Sequence, residues 1–425
     1  MTEKQIAINA IKKKLKGQEL SGHEIFALMD EIGHHRLGPI LTTYFAAAGF
    51  SQGFTKDELF EFTEAMVKTG KQIKFEGVVA DKHSIGGVAG TRTSMVVVPI
   101  VAAAGFKIPK SSTRAITAAA GTADTMEVLA PVEFPVEEIK DIVKKTNGCV
   151  VWGGKLGIAP ADDVIIQVER PLAFESFDKI VVSVMAKKIA MGSTHVVIDV
   201  PFGPYMKVRH KKDAQLVTDK FKYVAKRFGI KIKVEVIPTD EPNGFGVGPV
   251  LEVHDVLAIL EQDKNRPKML EDRIMRLSGT LLDMCLEDVV DRSTLPEVSQ
   301  TGTGREIAEK VLKSGVALAK MREIVKAQGG DPNFSRSKLK PGKHKYKFRS
   351  KISGTVKAVD AKELNGIAKI LGSPKDQQAG VRLTKHLSDK VTKNDILAVL
   401  YSSSKWRLDE AVETLEQLPM YYLEK

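Results

Sequence analysis

The chain has 425 residues, 43% of them hydrophobic and 28% charged, and no run of 18 apolar residues, which excludes a disordered polymer and a helical membrane protein and calls for two or three domains. Two cysteines, Cys149 and Cys285, with no CxxC or Cys/His ligand spacing, exclude a disulfide scaffold and a zinc motif. The net charge of +11 fits either nucleic acid or anionic small molecules as partners.

In chain order, the first ~70 residues read as helices by the spacing of their apolar positions. Ser21-Gly-His-Glu24 and Thr55-Lys-Asp-Glu58 have the form of capping boxes. No signal-peptide core stands at the N-terminus, so the cytoplasm is the expected location. Beyond Val78 short β-branched runs alternate with helical patterns: Gly77–Ala80, Cys149–Trp152, Val164–Val168, His195–Val200 and Lys231–Ile237 read as strands of an α/β sheet. Met95–Phe106 reads as a buried helix, and the stretch from Pro171 to Gly192 returns to helix. Helices are expected again at His254–Leu260, Leu270–Leu286 and Arg305–Ala327. The fold class expected is therefore α/β plus a small all-α domain. A discontinuous helical domain (1–70 and 158–192) accompanies a large α/β domain (71–157 and 193–335) and a β-rich C-terminal subdomain (336–425).

The strongest chemical signal is Asp81-Lys-His-Ser-Ile-Gly-Gly-Val-Ala-Gly-Thr-Arg-Thr-Ser94, between an expected strand and an expected helix. Glycines 86, 87 and 90 let the backbone approach an anion, Ser84, Thr93 and Ser94 offer hydroxyls, and Lys82 offers charge. A helix starting after Thr93 adds N–H groups and a positive dipole end. It is a phosphate cradle of neither the Walker A nor the GxGxxG type. A second cluster, Lys110-Ser-Ser-Thr-Arg-Ala-Ile-Thr117 followed by Ala120-Gly-Thr-Ala-Asp124, repeats the theme of hydroxyls, cations and glycine. His34-His35 lacks carboxylates at ligand spacing, so no metal is expected. The stretch from Arg336 to Lys351 holds eight Lys/Arg and no acid. It reads as a solvated strand edge rather than a nucleic-acid surface, because only Tyr346 and Phe348 are interleaved with the charges.

Lys82-His83-Ser84 with Gly86-Gly87, Ser112-x-Arg114, Gly121-Thr122-x-Asp124, Ala159-Pro-Ala-Asp162, Arg170 and Ser183-x-x-x-Lys187-Lys188 together resemble the signature of the thymidine/pyrimidine-nucleoside phosphorylases. Within that family Ser112-Thr-Arg-Ala-Ile-Thr117, the run from Gly121 to Pro131, and Thr194–Asp199 are most similar to the AMP phosphorylase branch. The resemblance implies phosphorolysis of AMP, with CMP and UMP as further substrates, giving a free base and ribose 1,5-bisphosphate. The same chemistry on thymidine or a pyrimidine nucleoside is the alternative. Inorganic phosphate is then a co-substrate, no cofactor is needed, and a homodimer is the family's simplest assembly.

The resemblance also distributes roles. Lys82, Ser84, Gly87, Thr93, Ser94, Ser112 and Thr122 hold phosphate. Thr113, Arg114, Ala115, Ile116 and Thr117 line the nucleotide, and Arg170, Ser183 and Lys187 face the base. His83 lies beside both ligands. Glu175 stands where the AMP branch has an Asp, and takes the part of proton donor. A nucleotide needs a second anion site, for which the sequence offers Lys207 with Arg114, and Lys110 nearby.

Overall fold

The computed structural model describes residues 1–169 and 176–424. Four helices open the chain: α1 (Glu3–Leu15), α2 (Gly22–Gly33), α3 (Gly38–Gln52) and α4 (Lys56–Lys68). Both expected capping boxes form, and Thr2 with Gln5 makes a third at the start of α1. The α/β part follows with β1 (Ala80–Ser84), α5 (Ser94–Ala103), β2 (Ile108–Ser112), α6 (Thr122–Met126), α7 (Val136–Thr146) and β3 (Gly148–Trp152). Next come α8 (Pro160–Glu169), α9 (Phe177–Ala190), β4 (His195–Phe202), α10 (Lys211–Arg227), β5 (Lys231–Pro238) and β6 (Gly246–Val247). Helices α11 (Pro249–Leu260), α12 (Lys268–Leu286), α13 (Gly304–Lys313) and α14 (Val316–Ala327) complete this part. The last region comprises β7 (His344–Arg349), β8 (Gly354–Val359), α15 (Ala361–Leu371), β9 (Gly380–Leu383), β10 (Lys390–Val391), β11 (Ile396–Ser402), α16 (Lys405–Thr414) and β12 (Tyr421–Glu424).

Helices α8 and α9 return to pack on α2, α3 and α4, so the helical domain is discontinuous. Its core joins Ile25, Leu28, Phe62, Val181 and Met185. A buried ion pair, Lys14 Nζ to Glu58 Oε2 at 2.7 Å, fixes α1 to α4, and the other Glu58 oxygen accepts from Leu20 N–H.

Among the described residues, the strands β1 to β5 pair in parallel. β1 pairs with β4 and β4 with β5, while β2 pairs with β3. The Val79–Lys107 bridge and the Ala80 N–H to Lys107 carbonyl bond join the two sets, giving the order β3-β2-β1-β4-β5. Helices cover both faces, as a parallel sheet requires. α5, α12, α13 and α14 close one face over Val97, Ile100, Leu277 and Met321, and α10 lies on the other over Val196 and Ile198. The C-terminal region is two small antiparallel sheets, β10-β8-β12 and β6-β9-β11-β7, around α15 and α16; β6 is contributed by the α/β part.

Four sequence readings need correction. Val164–Val168 is helical, within α8, because a short apolar run carries no period and Pro160-Ala-Asp-Asp163 is a helix start. Arg305–Ala327 is two helices, broken at Gly315 with φ +80°. β1 starts at Ala80, with Val79 making only a bridge. Lys110–Ser112, the start of the polar cluster Lys110–Thr117, belongs to a fully buried strand, Ile108–Ser112. No described helix is long and apolar enough to cross a membrane.

Candidate active site

The loops after β1, β2 and β4 all leave the carboxyl edge of the parallel sheet, the position where open α/β sheets bind ligands. After β1 the chain turns through Gly86 (φ +87°) and Gly87 (φ +95°), left-handed conformations that disfavour any side chain. A Cβ on Gly87 would lie 3.0 Å from Lys207 Cγ, so the loop after β4 lays the Lys207 side chain across this double glycine. The chain then enters α5 through Thr93 and Ser94, both buried.

Lys82 is 1% exposed. Its ammonium hydrogen-bonds the Thr93 hydroxyl and stands 3.9 Å from Asp199. Burial pushes Lys82 down to about 8, against the pull of Asp199. Ser84 Oγ donates to the same Asp199 at 2.9 Å. Asp199 in turn is gripped by Arg273 of α12, at 2.5 Å from Nη2 and 3.2 Å from Nε, and Arg273 also donates to Thr239 and Asn243. A second buried carboxylate, Asp81, holds Lys188 at 2.5 Å and Lys110 at 3.6 Å. Lys110 is pushed down to about 7, first by burial. His83, half-buried among Lys188, Lys110, Lys82 and Lys187, is pushed well below its ordinary value, by burial first and by these cations next. Its imidazole is therefore neutral, able to hydrogen-bond a ligand but not to donate a proton as imidazolium.

The loop after β2 runs from Thr113 to Gly121. Ser112 Oγ donates to the Val151 carbonyl at 3.0 Å. The Asp124 carboxylate at the start of α6 accepts from Ala115 N–H and Gly121 N–H at 2.6 and 2.8 Å, closing the loop and presenting Thr122. Arg92 donates to the Ala120 carbonyl at 2.7 Å and pairs with buried Glu252. Arg114 is committed elsewhere than expected. Its guanidinium meets Glu127 at 2.5 and 2.6 Å, Glu133 at 3.2 Å and Asp124 at 3.3 Å, and lies over the Trp152 ring. Its two terminal nitrogens are thus paired with carboxylates at the cavity wall.

The opposite wall is α8 and α9. Lys179, Ser183 and Lys187 recur every fourth residue and share one face of α9. Buried Asp162 of α8 accepts from Ser183 Oγ at 2.8 Å and pairs with Lys187 at 2.5 Å. Burial would raise the Asp162 carboxyl, yet Lys187 and Lys179 hold it below its usual value. Burial pushes Lys179 down to about 8, with Lys187 and Lys207 adding to the effect against Asp162. Arg170 and Glu175 lie outside the described residues.

One cavity is lined by Lys82, His83, Ser84, Gly87, Thr93, Ser94, Ser112, Thr113, Arg114, Ala115, Ile116, Thr117, Thr122, Ser183, Lys187 and Lys207, all given a part in the sequence, whereas Gly90, Asp124, Asp162 and Lys188 of the same motifs lie outside its lining. It is also lined by Arg92, Lys110 and Lys179, of which Arg92 and Lys179 went unremarked. The four-residue spacing on α9 was a legible signal for Lys179. Nothing local pointed to Asp199 with Arg273, since that pair is brought together across 74 residues. The arrangement can hold a polyanion at the sheet edge and an uncharged heterocycle against Ile166, Ile180 and Val184 on the helical wall.

Comparison with known proteins agrees with this layout. Residues 76–318 match the model of the glycosyl transferase family a/b domain, residues 8–70 its helical bundle domain, and residues 355–419 the pyrimidine nucleoside phosphorylase C-terminal domain. The chain is 42% identical to an AMP phosphorylase of Thermofilum pendens over 98% of its own length and 78% of the relative's. It is 41% identical to an AMP phosphorylase of Methanocaldococcus jannaschii over 97% and 79%. It is also 43% identical to a putative thymidine phosphorylase of Bradyrhizobium diazoefficiens over 93% and 74%. Among solved structures, anthranilate phosphoribosyltransferase from Thermus thermophilus shares the fold, with a TM-score of 0.60 at 17% identity over 76% of this chain and 99% of that one.

Proposed function

The chain belongs to the pyrimidine nucleoside/thymidine phosphorylase family and is a nucleoside or nucleotide phosphorylase, and on that premise we propose that its substrate is a nucleoside monophosphate, AMP first, with CMP and UMP as further candidates. The observation that carries this reading is the placement of Lys207 over Gly86-Gly87, in the cavity that holds the phosphate cradle. Lys207 lines this cavity beside the cradle, with Lys179, ion-paired to Glu169 of α8, on the opposite wall, and a cation there suits a second anion, the 5′-phosphate, which a neutral nucleoside lacks.

In this reading inorganic phosphate sits on Lys82, Ser84, Gly87, Thr93, Ser94, Ser112 and Thr122. One of its oxygens bonds to C1′ while the bond from C1′ to the base nitrogen breaks, the electron pair leaving with the base. The dianion stabilises the cationic sugar in the transition state, so positioning and electrostatics supply most of the catalysis. Lys187 and Ser183, held by Asp162, hydrogen-bond the departing base together with Arg170. Glu175 supplies the proton to the leaving nitrogen, and neutral His83 contacts phosphate or sugar. The products are the free base and ribose 1,5-bisphosphate.

The thymidine phosphorylase name of a relative with similar identity supports a second reading, a neutral pyrimidine nucleoside as substrate. Lys207→Ala separates the two. A rise of about tenfold or more in KM for AMP, with KM for adenosine or uridine unchanged, supports the nucleotide; equal effects on both support the nucleoside.

A further inference from the structure

The loops that build the cavity are rooted in the C-terminal domain. Val88 and Ala89 follow the double glycine, Ala119 lies in the second half of the loop after β2, and Met206 precedes Lys207. All four are buried in the same apolar cluster as Leu364, Ile367, Ala368 and Leu371 of α15. Each loop thus has a ligand-facing residue within two positions of an anchor in that core.

On the loop after β2 this anchoring is also polar. Buried Asn365 accepts from Ala119 N–H through Oδ1 at 2.9 Å. Lys369, one turn further along α15, donates through Nζ to the carbonyls of Ile116 and Thr117 at 3.2 and 2.8 Å. In a trans peptide the N–H points opposite the preceding C=O. Drawing these two carbonyls toward α15 therefore turns the N–H groups of Thr117 and Ala118 away from it. Neither α15 residue lines the cavity, whereas Ile116, Thr117 and Ala118 do.

We propose that Asn365 and Lys369 are positioning residues for substrate binding: from the C-terminal domain they set the conformation of the Thr113–Gly121 loop, so that the Thr117 and Ala118 N–H groups are presented to an anionic group of the nucleotide. This rests on the nucleotide reading for the identity of that group, though not for the loop-setting itself. The C-terminal domain is then a base plate for specificity, and α15 is its working element.

The test uses the full-length enzyme with Lys369→Met, which keeps the side-chain stem, Asn365→Leu, and Asn365→Asp, which keeps the acceptor. Steady-state kinetics are read with AMP and with adenosine, and amide hydrogen exchange is followed on residues 113–121 without substrate. Expected are a rise of about three- to tenfold in KM for AMP in Lys369→Met, about tenfold or more in Asn365→Leu, and near-parent values in Asn365→Asp. KM for phosphate should stay within about twofold, and the 113–121 amides should exchange faster in the first two variants only. Lys369 is solvent-exposed, so its variant folds even if Asn365→Leu does not. Unchanged exchange and unchanged KM for AMP in Lys369→Met would overturn the proposal, as would an equal rise in KM for phosphate. If the parent enzyme proves to prefer adenosine, the nucleotide reading fails; faster exchange with a raised KM for adenosine would still uphold the loop-setting role, and its absence would sink that as well.

Discussion

Filling the phosphate cradle should draw protons into the enzyme. Lys82 is held at about 8 and Lys110 at about 7, both chiefly by burial away from water. At about pH 8.5 the empty site therefore has Lys82 roughly three-quarters deprotonated and Lys110 almost wholly so, judged against an ordinary lysine near 10.4. A phosphate dianion beside them favours the charged ammonium. Binding should then take up about 0.8 proton if Lys82 alone recharges, and about 1.7 if both do. Titration calorimetry with phosphate in two buffers of different ionisation enthalpy gives this number directly. Phosphate affinity should fall as pH rises through about 8, by up to about tenfold per pH unit for each lysine that must be recharged. Because both lysines sit below their unfolded value, the empty folded enzyme binds fewer protons than the unfolded chain from about pH 7 to 10.5; these two groups weigh most against folding at the low end of that window and less as pH rises. Lys82→Met should abolish the uptake if Lys82 alone recharges and leave about 0.9 proton if both do. Proton release on binding, or no uptake at all at pH 8.5, would refute the placement of phosphate on Lys82.

Asp199→Asn should lower unfolding free energy by about 3–5 kcal/mol in denaturant melts, because it strands the buried Arg273 guanidinium; a loss under about 1 kcal/mol would contradict its role as anchor of the cradle. Gly87→Ala should raise KM for phosphate by about tenfold or more, since a side chain at φ +95° is strained and would press on Lys207; unchanged kinetics would show that the turn is not part of the cradle.

The sequence exposed those parts of the site that are compact in the chain. The cradle from Lys82 to Ser94, the Ser112–Thr117 loop and the α9 residues Ser183 and Lys187 each combine glycine, hydroxyl and cation over a few positions, and the fold brings them to one cavity. What it concealed is long-range. Asp199 reads as an ordinary strand residue, and only the parallel register of β1 with β4, which sets Ser84 beside Asp199, makes it the anchor of the cradle. Arg114 reads as a free cation until Glu127 and Glu133 are seen around it. The strand β2 was missed because burial inside a parallel sheet, rather than residue type, fixes Pro109, Lys110, Ser111 and Ser112 as extended. The role of α15 was invisible for the same reason, since Asn365 meets a loop 246 residues earlier.

The central claim is phosphorolysis of a nucleotide, and its most direct test is base release measured side by side from AMP, CMP, UMP, adenosine, uridine and thymidine, with and without inorganic phosphate. The account predicts phosphate-dependent release from the monophosphates, AMP foremost, with ribose 1,5-bisphosphate as the second product and little turnover of the nucleosides. Release from thymidine or uridine at rates equal to or above those of the monophosphates would contradict it and leave Lys207 without a substrate phosphate to bind.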